Sequence, residues 1–108
     1  MKGLASLELT VLVTVARLGD GAYGLAIRRD VSALAGHDYS VGAVYTTLQR
    51  LEEKGFVSSR QSEPLPVRGG RSRREFKVTG AGQRALRQAE RAAASLWSNA
   101  PALGVKRV

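Results

Sequence analysis

The sequence has no cysteine, one histidine and one tryptophan among its 108 residues. Without thiols there is no disulfide framework, no thiolate metal site and no cysteine nucleophile. The lone histidine, His37, falls in a break between two helical segments, where it reads as a surface residue. The 9 acidic residues do not gather at the spacing of metal ligands. Serines are plentiful, but no pattern supports a Ser–His pair. The glycine-rich stretch GDGAYG at 19–24 follows a helix, whereas a phosphate-binding loop follows a strand. These absences predict a protein that is not an enzyme and carries no cofactor or metal. No run approaches the roughly 18 apolar residues of a membrane span. The N-terminus has one lysine and then an amphipathic segment containing Glu8, unlike a signal peptide. The expected location is the cytoplasm, with no membrane partner.

What the chain has instead is positive charge. Lys and Arg number 17, and the formal net charge is +8. Such an excess points to a polyanion, with nucleic acid ahead of an anionic membrane surface. Hydrophobic residues make up 44% of the sequence, enough for one modest core. A single domain of this size buries its surface inefficiently, and a second subunit would help.

Periodicity gives the order of elements. Residues 4–18 carry Leu4, Leu7, Val11, Val15 and Leu18 at helical spacing, and Leu9, Leu12 and Val13 widen the apolar surface. A helix this apolar needs cover on more than one side. Gly19, Asp20 and Gly21 break it. A second helix, 23–35, places Tyr23, Ile27, Val31 and Leu34 on one stripe. Ser40 is a good N-cap for a third helix, 41–54, whose stripe is Val41, Val44, Leu48 and Leu51, and Gly55 stops it. The period then changes. Residues 56–60 and 73–78 read as strands, with Phe76 and Val78 on one face, around a loop holding Pro64, Pro66, Gly69 and Gly70. Thr79 can cap a fourth helix to about Asn99, and Pro101 ends it. The expected fold is mainly α with a small β-hairpin wing: a winged helix-turn-helix plus a C-terminal dimerisation helix. The expected organisation is a DNA-binding domain over 1–78, a dimerisation helix over 79–100 and a loose basic tail over 101–108.

The third helix is the most informative segment. Opposite its apolar stripe lie Gly42, Ala43 and Thr46, small enough for close approach to the floor of a major groove. Thr46, Thr47, Gln49 and Arg50 can reach base edges or phosphates, arginine pairing with guanine and glutamine with adenine. Tyr45 sits on the flank, where its hydroxyl can bond a phosphate. The plainer alternative is a solvated helix face with Tyr45 half in the core. The hairpin tip supplies a second cluster, Arg68, Arg71, Arg73, Arg74 and Lys77, with Gly69 and Gly70 for a tight turn. That is the chemistry of a wing gripping phosphates, or of a run of solvated charge. Arg28 and Arg29 on the second helix form a weaker positioning pair.

Three stretches resemble the PadR family of transcription regulators: YGLAI at 23–27, VGAVYTTLQRLEEKGFV at 41–57 and GGRSRREFKVTGAGQRAL at 69–86. The resemblance implies a winged helix DNA-binding domain, a C-terminal helix that dimerises and, usually, repression of nearby genes; the two-fold symmetry of such a dimer points to a palindromic operator. For some members it implies release from DNA by small aromatic effectors. Tyr45 looks like the family's recognition-helix tyrosine, Leu48 and Leu51 like its core leucines, and Gly70 and Arg71 like its wing pair. Thr46 stands where many members have proline, and Phe76 where many have tyrosine.

The last helix carries Leu86, Ala89, Ala93, Leu96 and Trp97 with no partner inside a winged domain, so it and the first helix are expected to pair with a second copy. Trp97 is either an anchor of that dimer or, as the resemblance allows, a wall of an effector cavity between subunits. A different class of function is an RNA-binding or protein-docking winged helix, because VRGGRSRR resembles the Arg-Gly segments of single-strand binders. Against it, aromatics are only 6% of the chain, and Tyr23, Phe56 and Phe76 are expected in the core, which leaves too few for a stacking surface.

Overall fold

The computed structural model describes residues 4–61 and 73–99. Four helices and one hairpin follow in the expected order: α1 (Ser6–Leu18), α2 (Gly24–Ala35), α3 (Val41–Glu53), β1 (Val57–Gln61), β2 (Arg74–Val78) and α4 (Gly80–Asn99), with a 3-10 turn over Gly19–Gly21 after α1. This is a winged helix with a long helix appended.

The stops and starts have local causes. The Glu8 carboxylate reaches back to accept from the Ala5 N–H at 3.0 Å, which fixes the first turn of α1. Gly36 ends α2 at φ 65°, a left-handed position that glycine takes without steric cost. The Ser40 hydroxyl accepts from the Ala43 N–H at 3.1 Å and caps α3 as expected. The Thr79 hydroxyl accepts from the Gly82 N–H at 3.1 Å and caps α4.

The core is one cluster. α1 gives it Val11, Leu12 and Val15, α2 gives Ile27 and Val31, and α3 gives Val44, Leu48 and Leu51. Val57, Phe76 and Ala85 close it from the hairpin and α4. Thr14 is also buried, and its hydroxyl donates to the Thr10 carbonyl at 2.7 Å, so no polar atom is stranded there.

The hairpin is antiparallel, running from Val57 opposite Val78 to Gln61 opposite Arg74. Its second edge is occupied as well. The Phe76 N–H donates to the Ala22 carbonyl at 2.9 Å, and Tyr23 bridges Glu75. The wing is thereby stitched to the residues that open α2. A single rung of this kind has no period in sequence, so the periodic pattern does not reveal it.

Several expectations need correction. Val41 and Leu34, assigned to buried stripes, are 42% and 45% exposed. Both lie in end turns, Val41 opening α3 and Leu34 in the last turn of α2. Tyr23 and Phe56 are half-buried rather than committed to the core, and Phe56 belongs to the turn before β1. The hairpin tip with Arg68, Gly69, Gly70 and Arg71, and the tail from 100 to 108, lie outside the described residues.

Candidate nucleic-acid interface

α3 turns its apolar side inward through Val44, Leu48 and Leu51. At 100° per residue the centre of its outward side is Gly42, Thr46, Gln49 and Glu53, and all four are exposed. Tyr45 lies on one flank and Ala43 with Arg50 on the other. Tyr45 is 40% exposed, Arg50 is exposed and Ala43 half-buried. Thr47 does not belong to this face. It is 4% exposed and its hydroxyl donates to the Ala43 carbonyl at 2.8 Å. The reason is angular: position 47 falls about 40° from Leu51, at the edge of the buried stripe and away from the outward side.

Tyr45 has a specific seat. A side-chain carbon built on Gly24 would lie 1.9 Å from the tyrosine hydroxyl oxygen. The ring therefore crosses the first turn of α2 where only a glycine leaves room. Gly24 is a site residue that the sequence reading missed. Its signal was present as the glycine of YGLAI, directly after Tyr23.

The basic residues of the interface divide into those that reach outward and those that hold the protein together. Arg28 is half-buried, and its Nε donates to the Tyr39 carbonyl at 3.1 Å. This bond fixes the chain entering α3. Arg29 is exposed and pairs with its neighbour Asp30 at 3.0 Å. The Arg73 guanidinium lies over the Tyr23 ring, 5.1 Å from its centroid. Arg74 Nη1 donates to the Ser59 hydroxyl at 2.8 Å, and that hydroxyl donates to Glu52 Oε2 at 2.8 Å. Arg74 thus ties β2 through β1 to α3 and is not a free arm of the wing. Arg60 pairs with the buried Glu75 at 3.5 Å. Arg68, Gly70 and Arg71 are outside the described residues.

The far end of α3 is bound to α1. Lys54 Nζ donates to both Glu8 oxygens, at 2.9 and 2.8 Å. Glu8 is only 8% exposed. The Lys54 hydrogen bond holds its carboxyl below the ordinary glutamate value, burial opposes that, and the Ala5 N–H and the charges of Lys54 and Arg50 add to the lowering.

A separate surface lies between α1 and α4. Only Gly82 and Ala85 of α4 are buried, and every described residue from Arg91 onward is exposed. An open groove of about 450 Å³ runs between the two helices, lined by Leu9, Val13 and Ala16 on one side and Leu86, Ala89 and Ala93 on the other. Helical spacing continues this stripe to Trp97, which is 49% exposed. Among the described residues no cluster of His, Cys, Asp and Glu is arranged to hold a metal ion, and no helix is long and apolar enough to cross a membrane.

Solved structures share this architecture. A PadR-like transcription factor from Bacteroides fragilis superposes with a TM-score of 0.76 at 23% identity, over 90% of this chain and 88% of that one. A PadR family regulator from Clostridium difficile gives 0.72 at 18% identity, over 92% and 98%. A PadR-like regulator from Bacillus cereus gives 0.73 at 16% identity, over 94% and 93%. At these identities the likeness establishes the fold. No curated protein matches the sequence. The model of the transcriptional regulator PadR-like family matches residues 11–88, most of the chain, from within α1 into α4. The chain therefore belongs to the PadR-like family and is a DNA-binding transcriptional regulator.

Proposed function

We propose that the protein is a homodimeric repressor that binds double-stranded DNA at a palindromic operator in the cytoplasm. The observation that carries the reading is the outward side of α3, where Gly42, Thr46 and Gln49 stand exposed between flanking Tyr45 and Arg50. Small residues admit the helix to a major groove, and Gln49 and Arg50 carry the donors and acceptors that distinguish base pairs. The sequence that links β1 to β2 carries Arg68, Gly70 and Arg71, whose charge suits phosphate contact. Arg73 stands at the base of the wing over Tyr23.

The groove between α1 and α4 supports dimerisation. The apolar residues that line it, Leu9, Val13, Ala16, Leu86, Ala89 and Ala93, are more than this subunit covers, and a second copy of α1 and α4 closes over them. Two α3 helices related by a two-fold axis then enter successive major grooves, about 34–36 Å apart. A small planar aromatic compound between the subunits, stacked on Trp97, releases the operator if it favours a different spacing of the two α3 helices.

The test is a titration of full-length protein with duplexes selected from a random pool, across a range of salt. Several phosphate contacts per subunit predict a loss of orders of magnitude in affinity between low and moderate salt. A flat response would remove the wing from the interface, and sedimentation as a monomer at micromolar concentration would remove the dimer. Single-stranded competitors that displace the duplex would favour the RNA-binding alternative. Quenching of Trp97 emission by planar aromatic compounds, with the dimer intact, supports the effector site. If no compound perturbs the emission and Trp97→Ala yields monomers, the residue is a dimer anchor only.

A further inference from the structure

Both helices assigned to the dimer are fastened to the turn after α3, α1 at Lys54 and α4 at Gly55 and Phe56. From α1, the buried Glu8 carboxylate takes two hydrogen bonds from Lys54 Nζ, at 2.9 and 2.8 Å. From α4, the N-cap Thr79 makes two more: its N–H donates to the Phe56 carbonyl at 3.0 Å and its hydroxyl donates to the Gly55 carbonyl. The same hydroxyl accepts from Gly82, so the cap of α4 and the anchorage of the turn are one atom. The approach leaves no slack. A side-chain carbon on Gly82 would fall 2.1 Å from the Phe56 carbonyl oxygen and 2.7 Å from Val78. The turn itself is tight: Gly55 adopts φ 80°, and the Gly55 and Phe56 N–H groups close back onto Glu52 and Leu51 at 3.0 and 2.9 Å.

We infer that this turn is the joint through which the arrangement of α1 and α4 sets the direction of α3, with Lys54 and Thr79 as its positioning residues. The inference rests on the dimeric, duplex-binding reading above. Its mechanical content is leverage. α3 has 13 residues and is therefore about 20 Å long, so a tilt of about 5° at its C-terminal end moves its N-terminal end by roughly 2 Å. That is a large part of the 3.4 Å step between base pairs. The N-terminal end carries Gly42, Tyr45 and Thr46, so a change in the crossing of α1 and α4 appears as a change in where these residues meet the groove. Neither Lys54 nor Thr79 needs to touch DNA for this. In a dimer, the joint fixes the separation of the two recognition helices and hence the preferred spacing of half-sites.

The experiment uses the full chain and a library of duplexes in which two copies of the half-site, first obtained from a random pool, are separated by spacers of every length over one helical turn. Thr79→Val removes the hydroxyl at nearly constant volume, and Thr79→Ser keeps it. Glu8→Gln combined with Lys54→Met dissolves the second link without leaving a buried charge. The expected result is that Thr79→Val and the double variant stay dimeric and bind random duplex within about two-fold of the unaltered chain. Their preference for the best spacer over its neighbours falls about ten-fold, or the best spacer shifts by about one base pair. Thr79→Ser keeps the original profile. An unchanged spacer profile in a folded, dimeric Thr79→Val or double variant overturns the joint, as does a Thr79→Ser profile altered as much as that of Thr79→Val. If Thr79→Val does not fold, the double variant decides by the same measure. Failure of the underlying reading looks different: the unaltered chain then selects no paired half-sites, and the joint falls with it.

Discussion

The N-terminal half of α3 is open and its C-terminal end is tied down. Gly42, Thr46 and Gln49 face outward along the first part of the helix, and Tyr45 rests on the backbone of Gly24. Beyond Arg50 the helix meets partners on three sides: Glu8 of α1 through Lys54, Ser59 of β1 through Glu52, and Thr79 of α4 through Gly55. A helix that is to enter a groove must be bare where it meets the ligand and held where it does not. The pinned end orders the open one without occupying it. Substitutions at the two ends should accordingly fail in different ways, the pinned end in stability and the open end in binding.

The largest effect is expected at the pinned end. Gly82→Ala places a methyl group against the Phe56 carbonyl oxygen at 2.1 Å, a backbone atom that has nowhere to go. Overpacking of this kind should cost about 3 kcal/mol, read as a lowered urea midpoint, and α4 should shift on the turn. A midpoint equal to that of the unaltered chain would mean that α4 is not seated as tightly as described.

Arg50 lies where the two halves meet. If it reads a base edge, Arg50→Ala should cost about 2 kcal/mol on the selected duplex and relax preference at one base position. Arg71→Ala, in the wing tip, should instead weaken selected and random duplexes alike, because phosphates carry no sequence. Equal losses on both duplexes for Arg50→Ala would assign it to phosphate positioning and the pinned half.

Glu8→Gln should cost about 1–2 kcal/mol, less than a fully buried pair because Lys54 is 39% exposed. The pair also makes stability depend on pH. Its folded carboxyl titrates below the ordinary glutamate value of 4.5, so the stabilisation is fully present above that pH and is lost as the pH falls through the folded value. The Glu8→Gln variant should lack this part of the acid sensitivity. Parallel loss of stability in both proteins as the pH falls below 4.5 would show that the pair contributes nothing.

Gly24→Ala should have the smallest effect on stability, under about 0.5 kcal/mol, because the atom it meets is the far end of the Tyr45 side chain, which can swing aside. Duplex affinity should nevertheless fall, since Tyr45 leaves its seat. Unchanged affinity would show that the placement of Tyr45 does not matter to binding.

Much of the architecture was readable because it is periodic. The apolar stripes at 11–15, 27–31 and 44–51 fix which sides of three helices are buried, and the caps at Ser40 and Thr79 fix two of the starts. The same rule, applied more strictly, also places Thr47 beside Leu51 at the edge of the buried stripe, so its burial was legible and was missed because threonine is polar. The links that define the pinned end were not legible. Glu8 and Lys54 are 46 positions apart, and nothing local announces that they meet. Gly82 looks like an ordinary residue of the first turn of a helix, and its need for hydrogen in place of a side chain comes wholly from the Phe56 carbonyl. Arg28, Arg73 and Arg74 read alike as basic residues, and only their surroundings separate the one that holds a loop from the one that crosses a tyrosine ring and the one that ties β2 to β1.

The central claim is that the open side of α3 is the surface that meets duplex DNA. It is tested most directly by placing a photo-crosslinking amino acid at Thr46 in one protein and at Ser95, on the exposed far part of α4, in another, and irradiating each with the selected duplex. Covalent adducts are expected from position 46, abolished by excess unlabelled selected duplex, and none from position 95. Crosslinks from position 95 alone would contradict it.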